Sequence, residues 1–267
     1  MKFNNRSRLS SLAVILFAGL SACGGQPPAR VEPAAPKPAE QAPAPVAATT
    51  TTGNASVSGV IKFDGVPPKM PVVPMNADPV CVARHKSPVV SEALVLGEGN
   101  TMANVFVSIT AGLPNKTWPA PSEPVVLTQE GCQYKPHVMA LMAGQTLKIL
   151  NPDGTLHNVH AMPKVNAEFN MAMPKTRTEA TQVFDKPEGM FPIKCDVHPW
   201  MGGWATVMSH PFFAVTGTDG AYKISGLAPG TYTIEAWHEK LGTQKATITV
   251  AAANDALSQD FQFTKPQ

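Results

Sequence analysis

The chain has 267 residues, of which 43% are hydrophobic and 15% are charged, and its formal net charge is +2. This length fits one or two globular domains. The low net charge, with no basic cluster beyond the extreme N-terminus, argues against nucleic acid as a partner, because nucleic-acid binding needs a strongly basic surface.

The N-terminus predicts an export signal. Basic residues in the first eight positions precede an apolar segment at 12–20, which is too short to cross a bilayer as a helix. The sequence Leu-Ser-Ala-Cys-Gly follows and resembles the lipobox of bacterial lipoproteins. We expect residues 1–22 to be a lipoprotein signal peptide and Cys23 to carry the lipid anchor in a bacterial cell envelope, facing the periplasm or the outer surface. An ordinary signal peptide with a chance cysteine is the alternative.

Residues 23–55 are rich in Pro, Ala and Thr, and this composition predicts a disordered tether. Beyond it the sequence shows short strands separated by Gly, Pro and Asn, and no good helix. Strands of this length and spacing predict an all-β sandwich. The predicted strands are 57–63, 104–109, 124–128, 145–150, 181–184, 190–194, 204–208, 213–215, 222–224, 232–237, 245–250 and 261–263.

The C-terminal part contains a run with two turn signals, Thr-Asp-Gly-Ala-Tyr-Lys-Ile-Ser-Gly-Leu-Ala-Pro-Gly-Thr-Tyr, at 218–232. This run resembles the carboxypeptidase regulatory-like (prealbumin-like) β-sandwich family, a module without chemistry of its own. The opening strands of that family resemble two predicted strands far upstream of the run. We therefore expect a second domain to be inserted in this sandwich, and two consecutive domains are the alternative. The predicted sandwich is 56–121 with 209–267, and the predicted insertion is 122–208.

The segment Cys-Asp-Val-His-Pro-Trp-Met at 195–201 carries the most chemical information. It places a thiolate, an imidazole and a thioether three residues apart. These donors suit copper, and two His with one Cys and a weak axial Met form the blue-copper pattern. The second imidazole is His157, which we expect on a loop after the turn Asn-Pro-Asp-Gly. The predicted copper ligands are His157, Cys195, His198 and Met201.

Residues 122–208 resemble the cupredoxins, and among them the amicyanin group most closely. The shared features are the C-x-x-H-x-x-M loop and the sequence His-Asn-Val-His at 157–160. The resemblance implies one type 1 copper with the four ligands above, with His198 as the more exposed ligand and the electron port. It also implies a hydrogen bond between Asn158 and the residue after the Cys. That residue is Asp196 here, where the family usually has Ser or Thr.

Two cysteines remain, Cys81 and Cys132. In an oxidising compartment such a leftover pair predicts a disulfide. The alternative is a second metal site, because His85 and His137 follow these two cysteines closely in the sequence.

A blue-copper site accepts and donates one electron, and we see no general base or nucleophile, so we expect no enzyme. The first hypothesis is a membrane-tethered one-electron carrier, with a redox protein such as a cytochrome or a dehydrogenase as its partner. The second is a periplasmic copper-binding or copper-handling lipoprotein without an electron-transfer partner. The third is a structural surface lipoprotein, which the complete ligand set argues against.

Overall fold

The computed structural model describes residues 53–265. The predicted signal peptide, Cys23 and nearly all of the predicted tether lie outside this range. The first strand begins at Ala55, so the predicted tether overlaps it by one residue. No helix in the described part of the chain is long and apolar enough to cross a membrane.

Within residues 53–265 the chain is almost entirely β-structure, which confirms the predicted all-β class. One five-residue helix, α1 (Pro79–Ala83), was not expected from the sequence, and 3-10 turns occur at Met75–Ala77 and Glu98–Asn100. The strands are β1 Ala55–Asp64, β2 Phe106–Ala111, β3 Val125–Thr128, β4 Val138–Met142, β5 Thr146–Leu150, β6 His157–Ala161, β7 Phe169–Met173, β8 Glu179–Val183, β9 Glu188–Lys194, β10 Gly202–Met208, β11 Phe213–Val215, β12 Ala221–Leu227, β13 Gly230–His238, β14 Gly242–Val250, β15 Ala256–Ser258 and β16 Phe261–Thr264.

Two sheets share a core formed by the beginning and the end of the described chain. In the first sheet β1 pairs antiparallel with β12 and parallel with β15 and β16. The second sheet has the order β11-β2-β13-β14. Alternate residues of β1 are apolar and point inwards, among them Val57, Ile61 and Phe63. They pack in one cluster with Ile109 of β2 and Ile234 of β13, so the two sheets face each other across this core.

Two further sheets are built only from strands between residues 125 and 208. One has the order β4-β10-β9-β6-β7 and the other the order β3-β5-β8. Their core holds large apolar side chains such as Leu141, Ile149 and Phe184, and it also contains Cys195 and Met201. Two of the predicted copper ligands therefore lie within this second core.

The connection between β1 and β2 carries α1, which packs against the second core through Cys81. The helix begins with an N-cap at Asp78, whose carboxylate accepts a hydrogen bond from the backbone N–H of Val80 at 2.8 Å. Pro79 occupies the first helical position, where its missing N–H costs nothing. A disulfide joins Cys81 to Cys132, with a Cα–Cα distance of 5.5 Å. This bond holds α1 against the turn that precedes β4.

Candidate metal centre

The predicted ligands meet because they lie at the ends of neighbouring strands. His157 is the first residue of β6, so the expectation that it lies on a loop is wrong. Cys195 directly follows β9, and β6 and β9 pair antiparallel through His160 and Lys194. The loop that follows Cys195 is tight, because the N–H of Cys195 donates to the carbonyl of Met201 at 3.0 Å. The thiol and both imidazoles are thereby brought to one end of the sheet.

Three potential ligand atoms, one each from His157, Cys195 and His198, lie close together beside this loop. The Nδ1 atoms of His157 and His198 are 3.0 Å apart, and the Cys195 Sγ is 3.8 Å from the His198 Nδ1. A donor atom from each of these three residues lies within 4.8 Å of the other two. The three side chains are buried, as is Met201, which is 1% exposed and shares the core with Cys195. Two imidazole nitrogens and a thiolate, closed off from water beside a thioether residue, fit copper by the chemistry of their donors.

The surroundings of Cys195 favour its thiolate, the form that binds metal. Burial by itself raises the pKa of this thiol. The hydrogen bond with His157 and the backbone N–H groups at Asn158, His198 and Val197 lower the pKa by a larger amount. The pKa falls from its ordinary 9.0 to about 7. The protonated thiol would donate to the side-chain oxygen of Asn158 at 3.2 Å, and this contact acts against the thiolate.

A carboxylate stands behind each imidazole. The His157 Nε2 lies 3.0 Å from an oxygen of Asp153, and the His198 Nε2 lies 2.9 Å from an oxygen of Asp78. Since a carboxylate accepts, each Nε2 carries a proton, and in the neutral ring each Nδ1 keeps a lone pair with which it could bind a metal. A hydrogen bond of this kind fixes the orientation of a histidine ligand and raises its basicity.

Neither carboxylate was predicted from the sequence. Asp153 was interpreted only as a turn residue, although its spacing of four residues from His157 was a weak signal. Asp78 lies 120 residues before His198. The Asp-Pro pair at 78–79 is typical of a helix start, but nothing in the sequence indicates where that helix packs.

His198 is not the exposed ligand that the resemblance implies. Its side chain is 3% exposed, and Asp78 at the start of α1 accepts its Nε2–H. The Cys81 Sγ lies 3.7 Å from the same Nε2 atom. The expectation of an open imidazole edge is therefore wrong, because the segment between β1 and β2 covers it.

Asn158 and Asp196 are in direct contact. The N–H of Asp196 donates to the side-chain oxygen of Asn158 at 2.7 Å, and the Asn158 amide lies 3.4 Å from the Asp196 carboxylate. Lys194, Asn170 and His160 also surround this carboxylate, at 3.0, 2.6 and 2.9 Å. Lys194 is the main reason that the pKa of Asp196 falls to about 2, so the residue is an anion at neutral pH. The backbone N–H of Asp196 thus makes the hydrogen bond to Asn158 that the resemblance implies.

The four residues of the alternative second metal site do not form one cluster. Cys81 and Cys132 are bonded to each other. The His85 Nε2 lies 2.7 Å from the carbonyl of Gly131, and the His137 Nε2 lies 2.5 Å from the carboxylate of Glu239. In this structure the two cysteines therefore have no thiolate to offer to a metal.

Neither a protein-family model nor a curated protein matches the chain. Several solved structures are similar to part of the chain. One is the Cu-containing nitrite reductase of Thermus scotoductus SA-01, at 19% identity and a TM-score of 0.31, covering 38% of this chain and 26% of that one. Amicyanin from Paracoccus versutus is 25% identical at a TM-score of 0.28, covering 38% and 97%. A purple cupredoxin from Nitrosopumilus maritimus is 22% identical at a TM-score of 0.27, covering 32% and 99%. The chain thus spans about a quarter of the reductase and nearly all of the other two.

Proposed function

We propose that residues 122–208 form a type 1 copper domain of the cupredoxin family, and that this domain carries one electron at a time. The observation that supports it best is the convergence of the buried donor atoms of His157, Cys195 and His198 within 4.8 Å. Copper held by these three residues, with the thioether of Met201 as a further ligand, would supply a one-electron redox centre.

The residues of the chain would hold the ligands in one arrangement. Asp153 and Asp78 fix the two imidazoles through Nε2, and the loop hydrogen bonds of Met201 fix the thiolate. Burial of the ligands excludes water. A rigid, dry ligand set that changes little between copper oxidation states is what rapid electron exchange requires.

An optical spectrum tests this function. The copper-loaded chain should show an intense visible band from thiolate-to-copper charge transfer, and Cys195→Ser should abolish it. The matched control is the double variant Cys81→Ala/Cys132→Ala, which loses the other two described cysteines and should keep the band. A copper-loaded wild-type protein with only weak d–d absorption would rule out a blue-copper site.

Copper binding or handling without an electron-transfer partner is the second candidate. The observation that favours it is the cover over His198, since α1 closes the edge through which electrons would pass. Rapid electron exchange with a cytochrome or a dehydrogenase would support the carrier. Stable copper binding with no such exchange would support the second candidate.

We also propose that the chain is an exported lipoprotein of the bacterial cell envelope, with its copper domain inserted in a carboxypeptidase regulatory-like sandwich. The lipobox-like sequence at Cys23 supports the anchor. The sheets confined to residues 125–208, lying between the strands of another core, support the insertion. Cys23→Ala should move the protein from the membrane fraction to the soluble fraction. A variant that still sediments with membranes after a high-salt wash would place the anchor elsewhere.

A further inference from the structure

A cavity of about 200 Å³ adjoins the loop that carries Met201. Its walls come from the segment before β2, the turn before β4, the loop before β10 and the hairpin between β13 and β14. Three ionisable side chains of this wall lie close together, namely Glu92, His137 and Glu239. None of them belongs to the proposed copper site.

The two ring nitrogens of His137 have different surroundings. The Nε2 lies 2.5 Å from an oxygen of Glu239, whose side chain is 9% exposed. The Nδ1 is buried and finds no hydrogen-bond partner among residues 53–265. The side chain of His137 is only 10% exposed, so water reaches the Nδ1 poorly. A buried polar atom without a partner costs free energy, and such an atom on a cavity wall points to a missing ligand.

Glu92 stands opposite this unpartnered nitrogen. Its nearer carboxylate oxygen is 3.9 Å from the His137 Nδ1, which is too far for a hydrogen bond. Zinc lies about 2.0–2.2 Å from its nitrogen and oxygen ligands, so in a tetrahedral site these two atoms are about 3.3–3.5 Å apart. The Glu92 carboxylate would therefore have to move inwards by about 0.5 Å to share an ion with His137. Gln133 donates to the same carboxylate at 3.1 Å and steadies it.

We propose that Glu92 and His137 bind a first-row divalent cation of the Zn²⁺ type, and that Glu239 orients the imidazole. The ligands are the His137 Nδ1 and a Glu92 carboxylate oxygen, and the cavity leaves room for water in the remaining positions. A histidine ligand that donates its other N–H to a carboxylate is the usual arrangement around zinc.

Two carboxylates beside His137 would attract a cation to the cavity. Glu92 and Glu239 contribute negative charge, and the Lys240 Nζ lies 3.7 Å from Glu239. Lys135 lowers the pKa of Glu92 from a distance, and the backbone of Gly202 helps to raise the pKa of His137. The competing arrangement is an imidazolium ion at His137 between the two carboxylates. Burial lowers the pKa of His137, but Glu239 and Glu92 together raise it above its ordinary value. A cation must therefore displace a proton.

Calorimetric titration of the intact, metal-free chain with Zn²⁺ tests the proposal. Glu92→Gln should weaken the binding of one equivalent by at least about tenfold, and Glu239→Gln by about 10–100-fold, the range found when an orienting partner is removed. His137→Gln should remove this equivalent. His85→Gln is the matched control and should bind like the wild type, since His85 lies outside the cavity wall.

Zinc bound at the proposed copper site is distinguished by Cys195→Ser, which should keep the equivalent whose binding Glu92→Gln weakens. The two proposals therefore fail separately. Glu92 is 31% exposed, so its substitution should leave the fold intact even if His137→Gln unfolds the chain. If Glu92→Gln binds as many Zn²⁺ ions as the wild type with the same affinity, the cluster is an ion pair held by a proton and the site does not exist.

Discussion

His157 donates a hydrogen bond from Nε2 to Asp153 at 3.0 Å, and both side chains are completely buried. The backbone N–H groups of Gly131 and Cys132 donate to the same carboxylate at 2.9 and 2.7 Å. Burial raises the pKa of Asp153, but the hydrogen bonds from His157 and from the backbone lower it more, so the net pKa falls. A negative charge therefore stands behind the His157 ring.

Asp153→Asn should raise the reduction potential of the copper-loaded protein. The carboxylate increases electron donation by His157 and so favours Cu(II) over Cu(I). Each tenfold loss of the preference for Cu(II) over Cu(I) corresponds to a rise of about 59 mV for one electron. A spectroelectrochemical titration measures the shift.

Asp78→Asn is the matched control, because it makes the same change behind the other imidazole. The Asp78 side chain is 20% exposed whereas that of Asp153 is fully buried, so its charge is better screened and the rise should be smaller. An unchanged or lower potential in Asp153→Asn would show that the carboxylate only positions the ring.

The strands that the sequence predicts all fall on strands of the structure, because their apolar residues alternate or are β-branched. The strand Val138–Met142 was missed since it is buried on both faces and shows no alternation. The strand Phe169–Met173 was missed because Asn, Ala and Met have weak β-propensity. The strand His157–Ala161 was not predicted, because the turn before it suggested that His157 lies on a loop.

For the site, the sequence gives only what is local. Cys195, His198 and Met201 lie in one segment, so their chemistry can be recognised without the fold. The position of Asp78 depends on how the connection between β1 and β2 packs. The disulfide that fixes this packing joins two cysteines that are 51 residues apart in the sequence. The cover over His198 follows from the same contact, which explains why its exposure was predicted wrongly.

Met201→Leu and Met201→Ala together separate packing from ligation. Both variants should keep copper and change the visible spectrum and the potential, because an axial Met tunes the site more than it holds the metal. In the copper-free protein, Met201→Ala should cost about 2–5 kcal/mol of unfolding free energy, since the side chain is 1% exposed. Met201→Leu keeps the volume and should cost less than about 1.5 kcal/mol. Complete loss of copper from the Leu variant would show that Met201 is not a weak ligand.

The double variant Cys81→Ala/Cys132→Ala should lower the free energy of unfolding by up to about 4 kcal/mol, because the disulfide closes a loop of 51 residues. Chemical denaturation of the copper-free protein measures this loss. Thiol titration of the unfolded, unreduced wild type with Cys23 acylated should find one free thiol, from Cys195. Three thiols would contradict the disulfide. The variant should retain the visible copper band, because neither cysteine is among the proposed ligands.

The stability of the chain should fall between pH 6.5 and pH 4 because of His238. This side chain is 1% exposed, and the N–H of Lys240 donates to its Nδ1 at 3.2 Å, which requires the neutral ring. Burial is the main cause that lowers its pKa from 6.5 to about 4. Between these values the unfolded chain binds a proton that the folded chain does not. The stability that His238 contributes is therefore complete above pH 6.5 and is lost as the pH falls towards 4.

The variant His238→Phe isolates this effect, because all other titrating groups are common to both proteins. Urea unfolding at pH 7.5 and at pH 4 gives the free energy of each. The wild type should lose about 3 kcal/mol more than the variant over this range, which is the free energy equivalent of its lowered pKa. Phe preserves the ring volume beside Phe263, whose centroid is 6.2 Å from that of His238, so the variant should fold. Equal losses in the two proteins would show that His238 becomes charged without unfolding the sandwich.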